Sequence, residues 1–546
     1  MSKESLPFLT INAYGHDLSL TVWRPSDEFM VTYEFERVSQ KKHHKIDDGM
    51  FPWLFKRILK HLKEKYDIDN NFDRVFIREH IDTNVVKYFL NVFKCNKSFF
   101  SRRDHHLLHS LGAFYTSPFE NASVIAWDGG GDIGSFHYFE YENNELVYSD
   151  YQNRCDFSRT YTDAGSACLT FSKTRRLDIA GKVMGLCAYG EEYADEVVTD
   201  EVVAYFRKVM TRNVPAHERM FATHKLKVDL KKMLPIGESG RFEGREEKLI
   251  CYAVQKAMEE EFIDFVRKHY IKKIRKSGNL ILTGGSALNV LVNQKVMEEF
   301  PDLNVWIPSD PHDGGLSAGM MFAEPLWENR DKVRNPDHFR PIRRDRKYGG
   351  PHVFDESDLP RYIEEKNGRK ITQDELVDIL REGKIVGHIH GRCEVGPRAL
   401  GNRSILCDPS IPNMKDTINS KVKFREWYRP FAPVCVLEDA PTYFEGVNFD
   451  KMDAMQLAPK VKPEWTEKLR AVTHVDNTAR LQTVTEEDNP NFYSLLKKFN
   501  GVLLNTSFNI QGRPILNTIG DGLWMLEETG LDHVVFVEDD GTHWLF

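Results

Sequence analysis

The stretch "NLILTGGSALNVLVNQKVMEEF", residues 279–300, decides the fold class of this chain. It begins with a short apolar run typical of a buried strand, continues through two glycines that form a turn, and ends with the apolar spacing of a helix. Residues 246–274 place apolar side chains three and four positions apart, which predicts a long helix just before this strand. Strands that alternate with helices in this way predict an α/β domain.

The N-terminal region shows further strand signals. Residues 8–23, "FLTINAYGHDLSLTVW", predict two strands joined by a turn at residues 15–17. Residues 74–80 and 122–131 are also rich in residues that favour strands. The α/β pattern therefore extends to the start of the chain.

A change in composition separates two regions. Residues 328–354 are rich in charge, Pro and Gly, which predicts a linker. Residues 374–392 then restart with a helix and a strand. We therefore predict two α/β domains, residues 1–340 and residues 355–546.

The composition narrows the class of protein. With 546 residues, of which 41% are hydrophobic, the chain can bury more than one core, and its net charge of −8 argues against a general affinity for nucleic-acid backbones. No apolar run reaches membrane-spanning length, and the N-terminus lacks the layout of a signal segment. The eight cysteines form no Cys-x2-Cys pair, so they predict reduced thiols in a cytoplasmic protein.

A histidine cluster precedes one of the predicted strands. His105 and His109 are four residues apart, a spacing that places both rings on one face of a helix, whereas His106 would point elsewhere. Asp128 ends the following strand, and Asp313 precedes two glycines and a helix start of small residues. Two histidines and two carboxylates suit Fe(II), Mn or Zn. A bare His-x3-His pair is more often structural, but the strand that ends in Asp-Gly-Gly-Gly favours a metal site.

Two glycine turns lie where strands end, one with Gly129 and Gly130 and one with Gly284 and Gly285. Glycine lets backbone N–H groups approach a phosphate or a nucleotide. A pair of such turns resembles the actin-like ATPase architecture, in which two related halves close on a nucleotide. Neither turn matches a Rossmann or P-loop signature, and tight turns need glycine whatever they bind. Lys182 is either a phosphate contact or a solvated surface lysine.

Four stretches in the last third of the chain are dense in side chains that bind anions. They are "GRCEVGPRALGNRSIL" (391–406), "KVKFREWYRPFAP" (421–433), "THVDNTARLQTV" (473–484) and "LLNTSFNIQGRPI" (503–515). Arg and Lys beside Ser, Thr and Asn suit a phosphate and an amide-like group. Because these residues are embedded among Gly, Pro and apolar residues, they favour one shared pocket over a salt-bridged surface.

Nine motifs, in this order, resemble one family, the O-carbamoyltransferases of the NodU/CmcH type. They are "INAYGHDLS", "HHLLHSLGAFYTSPF", "AWDGGGD", "GKVMGLCAYG", "GGSALN", "GPRALGNRSIL", "VKFREWYRPFAP", "THVDNTAR" and "NTSFNIQGRPI". The resemblance covers nearly the whole chain.

The resemblance implies a fold and a reaction. The first domain is expected to be an actin-like (ASKHA) ATPase-type domain, similar to the tRNA threonylcarbamoyl-transferase subunit, and the second a YrdC-like α/β domain. In this family, carbamoyl phosphate and ATP react in the second domain to give carbamoyl-adenylate and pyrophosphate. The carbamoyl group then passes to an acceptor hydroxyl in the first domain. The acceptor is left open between a sugar, an antibiotic-like alcohol and a hydroxymethylated nucleotide, and the family suggests a homodimer.

The resemblance also assigns roles to residues. The implied ligands of a divalent metal are His105, His109, Asp128 and Asp313, with Fe(II) as the first candidate and Mn, Zn or Mg as the others. Lys423 and Arg425 match the YrdC-type Lys-x-Arg signature, and His16 is the candidate base near the acceptor hydroxyl. The adenylate platform falls on Gly284 and Gly285. The remaining implied contacts to nucleotide or carbamoyl phosphate are Arg398, His474, Arg480, Ser507 and Asn509.

The chain departs from the family pattern at two places that matter for charge. The usual Gly–Glu pair before Lys182 is missing, and Arg513 stands where an acid is typical, so the anion pocket is expected to be more positive than in relatives. Two other functions stay open, a threonylcarbamoyl-adenylate or tRNA-modifying enzyme and a non-catalytic actin-like nucleotide switch. Residues 191–245 match no motif; they either shape the acceptor pocket or, as their charge suggests more simply, form an exposed helical insert.

Overall fold

The first sheet, near the N-terminus, consists of three consecutive antiparallel strands and two further strands that join the sheet in parallel. The computed structural model describes residues 6–45, 51–78, 88, 91–101, 104–131, 134–152, 155–211, 222–323 and 346–546. The strands are β1 (Phe8–Asn12), β2 (Ser19–Arg24), β3 (Phe29–Glu34), β4 (Asn71–Arg78) and β5 (Lys94–Ser101), and the helices are α1 (Phe35–Ser39) and α2 (Phe51–Tyr66). In the sheet order β3-β2-β1-β4-β5, the pairs within β1–β3 are antiparallel, whereas β4 is parallel to both β1 and β5.

The second sheet repeats this topology. Its strands are β6 (Ala122–Trp127), β7 (Phe136–Glu142), β8 (Glu145–Tyr151), β9 (Asn279–Thr283) and β10 (Asn304–Trp306). Their order is β8-β7-β6-β9-β10, with β6–β7 and β7–β8 antiparallel and β6–β9 and β9–β10 parallel. Two sheets with the same order and the same pairing senses are two copies of one arrangement.

Helices cover both faces of the second sheet. They are α3 (His105–Thr116), α4 (Phe157–Ser166), α5 (Arg176–Cys187), α6 (Val197–Met210), α7 (Ala222–Leu230), α8 (Arg245–His269), α9 (Ile271–Ser277), α10 (Val290–Glu299) and α11 (Leu316–Met320). α3 lies between the two sheets, where Leu108 and Phe114 share a core with Phe76 and Val124. α8 packs on the opposite face, where Phe262 tilts against Trp127 at 4.3 Å between ring centroids.

The described residues of 191–245 include the helices α6 and α7, which fits the expected helical insert, whereas residues 231–244 form turns and irregular backbone. Val202, Phe206 and Leu226 of α6 and α7 are buried in the same core as α8. The charged positions therefore form only the outer face of this segment. None of its described residues lines the cavity introduced below.

The C-terminal part is one mixed sheet with helices on both faces. Its strands are β11 (Arg369–Ile371), β12 (Val386–His390), β13 (Arg403–Cys407), β14 (Ala432–Val436), β15 (Gln482–Val484), β16 (Leu503–Ser507), β17 (His533–Val537) and β18 (His543–Leu545), in the order β11-β18-β17-β12-β13-β16-β14-β15. Its helices are α12 (Leu359–Glu365), α13 (Gln373–Arg381), α14 (Met414–Ile418), α15 (Ala440–Tyr443), α16 (Pro490–Phe499) and α17 (Ile519–Glu528). Leu376 and Phe492 of α13 and α16 fill the core on one face, and Leu523 of α17 packs on the other.

The two parts of the chain contact each other directly. Of the predicted linker, residues 328–345 lie outside the described residues. From residue 346 onward the chain packs tightly, with Arg346 paired to Asp310 at 2.8 Å. Arg37 donates to the backbone carbonyl of Gly396 across the same boundary. Among the described helices, none is long and apolar enough to cross a membrane.

Candidate active site and metal centre

One cavity lies between the N-terminal and C-terminal parts, with a volume of about 980 Å³. It is large enough for a nucleotide-sized ligand. Lysines and arginines in its lining outnumber carboxylates about two to one, although the whole chain carries a net charge of −8. The cavity therefore concentrates positive charge in an acidic protein, which favours anionic ligands.

A cluster of two histidines and two aspartates lies at the N-terminal side of this cavity. His105 Nε2 is 3.1 Å from Asp128 Oδ2, and His109 Nε2 is 3.4 Å from both Asp128 Oδ2 and Asp313 Oδ1. The four ligand atoms all lie within 4.8 Å of one another. His106 points away from the cluster, and its ring fills the space that a side chain at Gly131 would need.

The local packing explains why these four residues meet. His105 and His109 are on one face of α3, and Asp128 directly follows β6, which is buried along its whole length. Asp313 is brought in by α11, which approaches α3 closely because both carry glycine at the contact. A Cβ on Gly319 would be 2.0 Å from the Leu108 carbonyl oxygen.

The electrostatics of the cluster favour a cation. Burial opposes charge on His109, but the nearby carboxylates of Asp128 and Asp313 raise the pKa of its ring to about 9. Burial also disfavours an ionised Asp128, yet His105 and His109 hold the pKa of that carboxyl well below its usual range. A compact set of two imidazoles and two carboxylates fits a divalent cation such as Fe(II), Mn or Zn, which would take the place of the shared proton.

His16 is next to this cluster and is oriented by a chain of charged groups. Its Nδ1 is 2.7 Å from Asp17, and its Nε2 is 3.9 Å from Asp313. Asp17 also contacts His43 at 2.7 Å, and His43 lies 3.5 Å from Asp178. Burial lowers the pKa of His16, but the hydrogen bond with Asp17 and the charge of Asp313 raise it to about 9. His43, bonded to Asp17 and near Asp178, has a pKa raised to about 10 despite burial.

The two glycine turns border the cluster differently. Gly129 and Gly130 line the cavity, and a Cβ at either position would meet open space. Gly285 also lines it, whereas Gly284 does not. Gly284 has a left-handed backbone (φ 89°), and a Cβ there would collide with the Trp127 carbonyl oxygen, so this turn needs glycine for packing.

The C-terminal wall of the cavity carries guanidinium groups without acidic partners. Within the described residues, Arg398, Arg425 and Arg480 form no ion pair, and the Nε atom of each is buried without a hydrogen-bond partner. Burial, followed by the neighbouring Arg429, lowers the pKa of Arg398 to about 10, and burial lowers that of Arg480 further below its usual range. Uncompensated positive charge of this kind is typical of a site for a polyanion.

The side chain of Lys423 is hydrogen-bonded to neighbouring residues. Its ammonium donates to the backbone carbonyls of Ser507 and Asn509 at 2.7 and 2.8 Å and to the Asn509 side chain at 2.6 Å. Burial, followed by Arg425, lowers its pKa well below the usual range. Three donors directed at this segment mean that Lys423 organises residues 507–509 in the present structure, where the sequence alone suggested a direct contact with an anion.

Lys182 and His474 lie where the two parts of the chain meet. Lys182 Nζ is 2.6 Å from Glu426 Oε1, so it is neither a solvated lysine nor a free phosphate contact in this structure. His474 Nδ1 is 3.5 Å from Asp476, and Tyr189 packs edge-on against its ring at 5.6 Å. Both residues line the cavity.

Several residues of the site are not evident from the sequence. His43 and Asp178 extend the chain of contacts from His16, and Arg429 adds to the cationic wall. His43 was hidden in the charged run "KKHHK", which reads as a solvated face. Arg429 belongs to the quoted stretch 421–433, where its spacing from Arg425 was the available signal.

Two family models match the chain. The one described as Carbamoyltransferase N-terminus matches residues 45–321, and the one described as Carbamoyltransferase C-terminus matches residues 377–539. Together they cover most of the two regions that supply the cavity walls, whereas His16, Asp17 and His43 lie before the first matched residue.

Curated relatives agree with these matches. Nodulation protein NolO of Bradyrhizobium diazoefficiens is 30% identical over 455 residues, covering 79% of this chain and 77% of the relative. The 3'-hydroxymethylcephem-O-carbamoyltransferase of Amycolatopsis lactamdurans is 29% identical over 448 residues, covering 79% and 78%. Among solved structures, HypF of T. kodakarensis is 12% identical with a TM-score of 0.32, and the match covers 60% of this chain and 48%, about half, of that chain. This structural similarity is too weak to support an argument.

Proposed function

The chain belongs to the carbamoyltransferase family, and from that premise we propose that it is an ATP-dependent O-carbamoyltransferase. Carbamoyl phosphate and ATP form carbamoyl-adenylate in the first step, and the carbamoyl group passes to an acceptor hydroxyl in the second. The observation that carries the proposal is the shared cavity, in which a cationic wall from the C-terminal part faces the histidine and aspartate cluster of the N-terminal part.

The first step consumes carbamoyl phosphate, ATP and one water molecule. Water releases orthophosphate from carbamoyl phosphate, and an oxygen of the resulting carbamate attacks the α-phosphorus of ATP as the bond to pyrophosphate breaks. The products are carbamoyl-adenylate, pyrophosphate and orthophosphate. All the phosphorylated reactants are anions, so the step requires fixed cations that offset their charge and align them.

The C-terminal wall supplies such cations. Arg398, Arg425 and Arg480 have guanidinium groups that no carboxylate of the described chain neutralises, so they are free to bind phosphate oxygens. Lys423 holds the segment of Ser507 and Asn509 through hydrogen bonds. We therefore assign the three arginines to anion binding and Lys423 to positioning Ser507 and Asn509. For Lys423 to contact carbamoyl phosphate directly, its ammonium must exchange one of its present hydrogen bonds.

The second step takes place at the N-terminal side. The acceptor hydroxyl oxygen attacks the carbamoyl carbon, the bond from that carbon to the adenylate oxygen breaks, and AMP leaves. We assign His16 to the hydroxyl proton, because Asp17 accepts from its Nδ1 and leaves Nε2 on the side of Asp313, which also lines the cavity. His43 holds the other oxygen of Asp17 and thereby fixes the orientation of the pair.

We assign the cation site to His105, His109, Asp128 and Asp313. A divalent cation held there would supply Lewis-acid polarisation of a carbonyl or phosphoryl oxygen, and it would offset the carboxylate charge that raises the pKa of His16. Fe(II) is the first candidate for this site.

The shared cavity also limits loss of the intermediate. Carbamoyl-adenylate is a mixed anhydride that water hydrolyses, so passing it between two walls of one cavity limits its loss. The lining of this cavity includes Arg425 and Ser507 from one part of the chain and Gly285 and Asp313 from the other.

We further propose specific folds for the two parts. The duplicated topology of the first and second sheets fits an actin-like (ASKHA) domain of two related halves, with Gly129, Gly130 and Gly285 beside the nucleotide. The mixed C-terminal sheet, with Lys423 and Arg425 on the segment between β13 and β14 that lines the cavity, fits a YrdC-like domain. The eight unpaired cysteines suit a reducing, cytoplasmic environment, and a homodimer is part of the proposal.

A second enzymatic function, formation of threonylcarbamoyl-adenylate for tRNA modification, would use bicarbonate and threonine in place of carbamoyl phosphate. The acidic net charge of the chain disfavours a tRNA substrate. A nucleotide switch without catalysis is set aside, because the chain belongs to a family of enzymes.

The decisive experiment follows pyrophosphate and orthophosphate after mixing the full chain with ATP. We expect equal amounts of both to appear only when carbamoyl phosphate is present. His109→Ala is expected to retain this release and to lose transfer to any acceptor. Pyrophosphate release that requires bicarbonate and threonine, or no release at all, would overturn the proposal.

A further inference from the structure

A second group of cations lies at the outer edge of the same cavity. We call it the outer cation cluster and define it as Lys42, Lys173, Arg175 and Arg176, all of which line the cavity. Arg175 donates to the Lys42 backbone carbonyl at 3.4 Å, so the two segments that carry these residues touch. Neither the first step nor the proton transfer proposed above uses these four side chains.

The loop that carries Lys173 and Arg175 is anchored at several points. It connects α4 to α5, and Phe171 in its middle is 1% exposed and anchored in the main core. Thr174 is bonded through its backbone N–H to the Phe171 carbonyl at 3.0 Å and through its hydroxyl to Lys182 at 2.9 Å. Lys173 and Arg175 therefore project from a fixed turn.

The cluster retains uncompensated positive charge. Arg176 is paired with Asp163 and Lys42 with Asp178. Lys173 and Arg175 are exposed, and within the described residues neither has a carboxylate partner. No side chain caps the N-terminus of α5, which begins at Arg176 and adds a partial positive charge; Asp178 in its first turn is already paired with Lys42 and His43.

The cluster is on the transfer side of the cavity. Lys42 and His43 both contact Asp178, at 3.1 and 3.5 Å, and His43 shares Asp17 with His16. A molecule whose hydroxyl reaches His16 can therefore extend along this wall of the cavity toward the cluster. The phosphates of the first step have their own cations, Arg398, Arg425 and Arg480, on the other wall.

We propose that the outer cation cluster binds a phosphate monoester on the acceptor, so that this enzyme carbamoylates a phosphorylated alcohol. The inference rests on the proposed function. Two unpaired cations beside an uncapped helix N-terminus match the charge and the several acceptor oxygens of a phosphate dianion better than they match a single carboxylate. The phosphate can belong to a nucleotide or to a sugar phosphate, since both present the same group.

The first test needs no knowledge of the acceptor. The full chain is treated with pyridoxal 5′-phosphate or with pyridoxal, reduced with borohydride, and mapped by peptide mass spectrometry. We expect Lys173 to react about tenfold faster with the phosphorylated aldehyde, inorganic phosphate to protect it, and Arg175→Glu to remove the difference. Equal labelling by the two aldehydes, or no protection by phosphate, would overturn the inference.

The second test identifies the source of the phosphate. Hexose and hexose 6-phosphate, and 5-hydroxymethyldeoxycytidine and its 5′-monophosphate, are compared as matched acceptor pairs by mass detection of carbamoyl addition. We expect kcat/KM to be about tenfold higher for the phosphorylated member of the accepted pair, and Lys173→Glu/Arg175→Glu to abolish this preference. Lys276→Glu/Arg470→Glu, the same charge change at exposed positions outside the cavity, is the control.

Pyrophosphate release dependent on carbamoyl phosphate is measured in the same preparations. Its absence would refute the proposed function, whereas its presence together with equal kcat/KM for both members of every accepted pair would refute only the phosphate inference. If Lys173→Glu/Arg175→Glu lowers kcat/KM for carbamoyl phosphate as much as for the acceptor, the outer cation cluster attracts the carbamoyl donor. The inference is then wrong. If none of the four compounds is carbamoylated, the labelling of Lys173 decides.

Discussion

Asp17 shows how one residue connects backbone conformation to chemistry. It adopts the left-handed region (φ 57°), and from there its carboxylate reaches Nδ1 of both His16 and His43 at 2.7 Å. Asparagine tolerates this backbone and keeps the shape of the side chain, but its amide has one accepting and one donating end. In Asp17→Asn one histidine must therefore change tautomer. We expect the rate of carbamoyl transfer to fall about 100-fold.

Single-turnover measurements separate this effect from a general loss of structure. Pyrophosphate release in Asp17→Asn is expected to stay within about twofold of the unmodified enzyme, because the first step does not use His16. Asp67→Asn is a matched control, since Asp67 is also left-handed (φ 52°) but is exposed and outside the cavity. Equal losses in both steps would contradict the assigned role of Asp17.

Arg480 shows how a single residue of a binding site can lower the stability of the ligand-free protein. Its Nε is buried without a hydrogen-bond partner, and its neighbours Arg398, Arg425 and Arg429 are also cations. Methionine has a similar length and no charge, so Arg480→Met relieves repulsion in the ligand-free protein. We expect the free energy of unfolding to rise by about 1 kcal/mol while adenylate formation falls about 100-fold.

Thermal unfolding with and without pyrophosphate checks this prediction. Pyrophosphate is expected to raise the melting temperature of the unmodified protein, because it offsets the arginine charges, and to have a smaller effect on Arg480→Met. A variant that is less stable than the unmodified protein and still stabilised fully by pyrophosphate would show that Arg480 is a structural residue.

At the scale of elements, local periodicity predicts helices and strands well. The helix predicted over residues 246–274 is observed as α8 and α9, and the strand, turn and helix of residues 279–300 are observed as β9 and α10. The order of the C-terminal strands could not be predicted, since β18 at the end of the chain inserts between β11 and β17. Neighbouring strands in that sheet are separated along the sequence by up to about the whole length of the domain. The pattern of a single sequence contains no signal for such pairing.

The packing of α8 predicts a pH-dependent stability. Glu259 faces α10, bonded to Gln255 at 2.7 Å, and burial raises its pKa to about 7. Because the folded pKa lies above the ordinary value of 4.5, the folded state is favoured by protonation; this stability is fully present below pH 4.5 and is lost as the pH rises through 7. Glu259→Gln mimics the protonated form. We expect it to be stabilising at pH 8, by up to about 2 kcal/mol, and nearly neutral at pH 5.

Melting temperatures of the unmodified protein and of Glu259→Gln at the two pH values give the answer. Glu201→Gln, which removes a carboxylate from an exposed position on α6, controls for the loss of one negative charge. If the melting temperatures of Glu259→Gln and the unmodified protein differ by the same amount at pH 5 and at pH 8, burial of Glu259 does not make stability depend on pH.

At the scale of the whole molecule, the sequence predicts the chemistry of the site better than its connectivity. The spacing of His105 and His109 within one helix is local, so their shared face could be inferred. The approach of Asp313 depends on the glycine contact between α3 and α11, and the pairing of Lys182 with Glu426 depends on how the two parts of the chain pack. Neither produces a periodic pattern in the sequence, so the sequence alone leaves Lys182 open between a phosphate contact and a solvated surface lysine.

The Lys182–Glu426 pair predicts how well the molecule retains its intermediate. The two side chains are mostly buried, 2.6 Å apart, and link α5 to the loop that carries Lys423 and Arg425. Reversing either charge places like charges at this contact and separates the walls, so carbamoyl-adenylate escapes to water. We expect Lys182→Glu or Glu426→Lys to raise the ratio of pyrophosphate released to product formed about twofold or more.

The double reversal should restore the ratio only in part, because Arg429 lies 3.6 Å from the Glu426 carboxylate and would then face a cation. If the single reversals slow both steps equally and leave the ratio unchanged, the pair contributes to folding and not to retention of the intermediate.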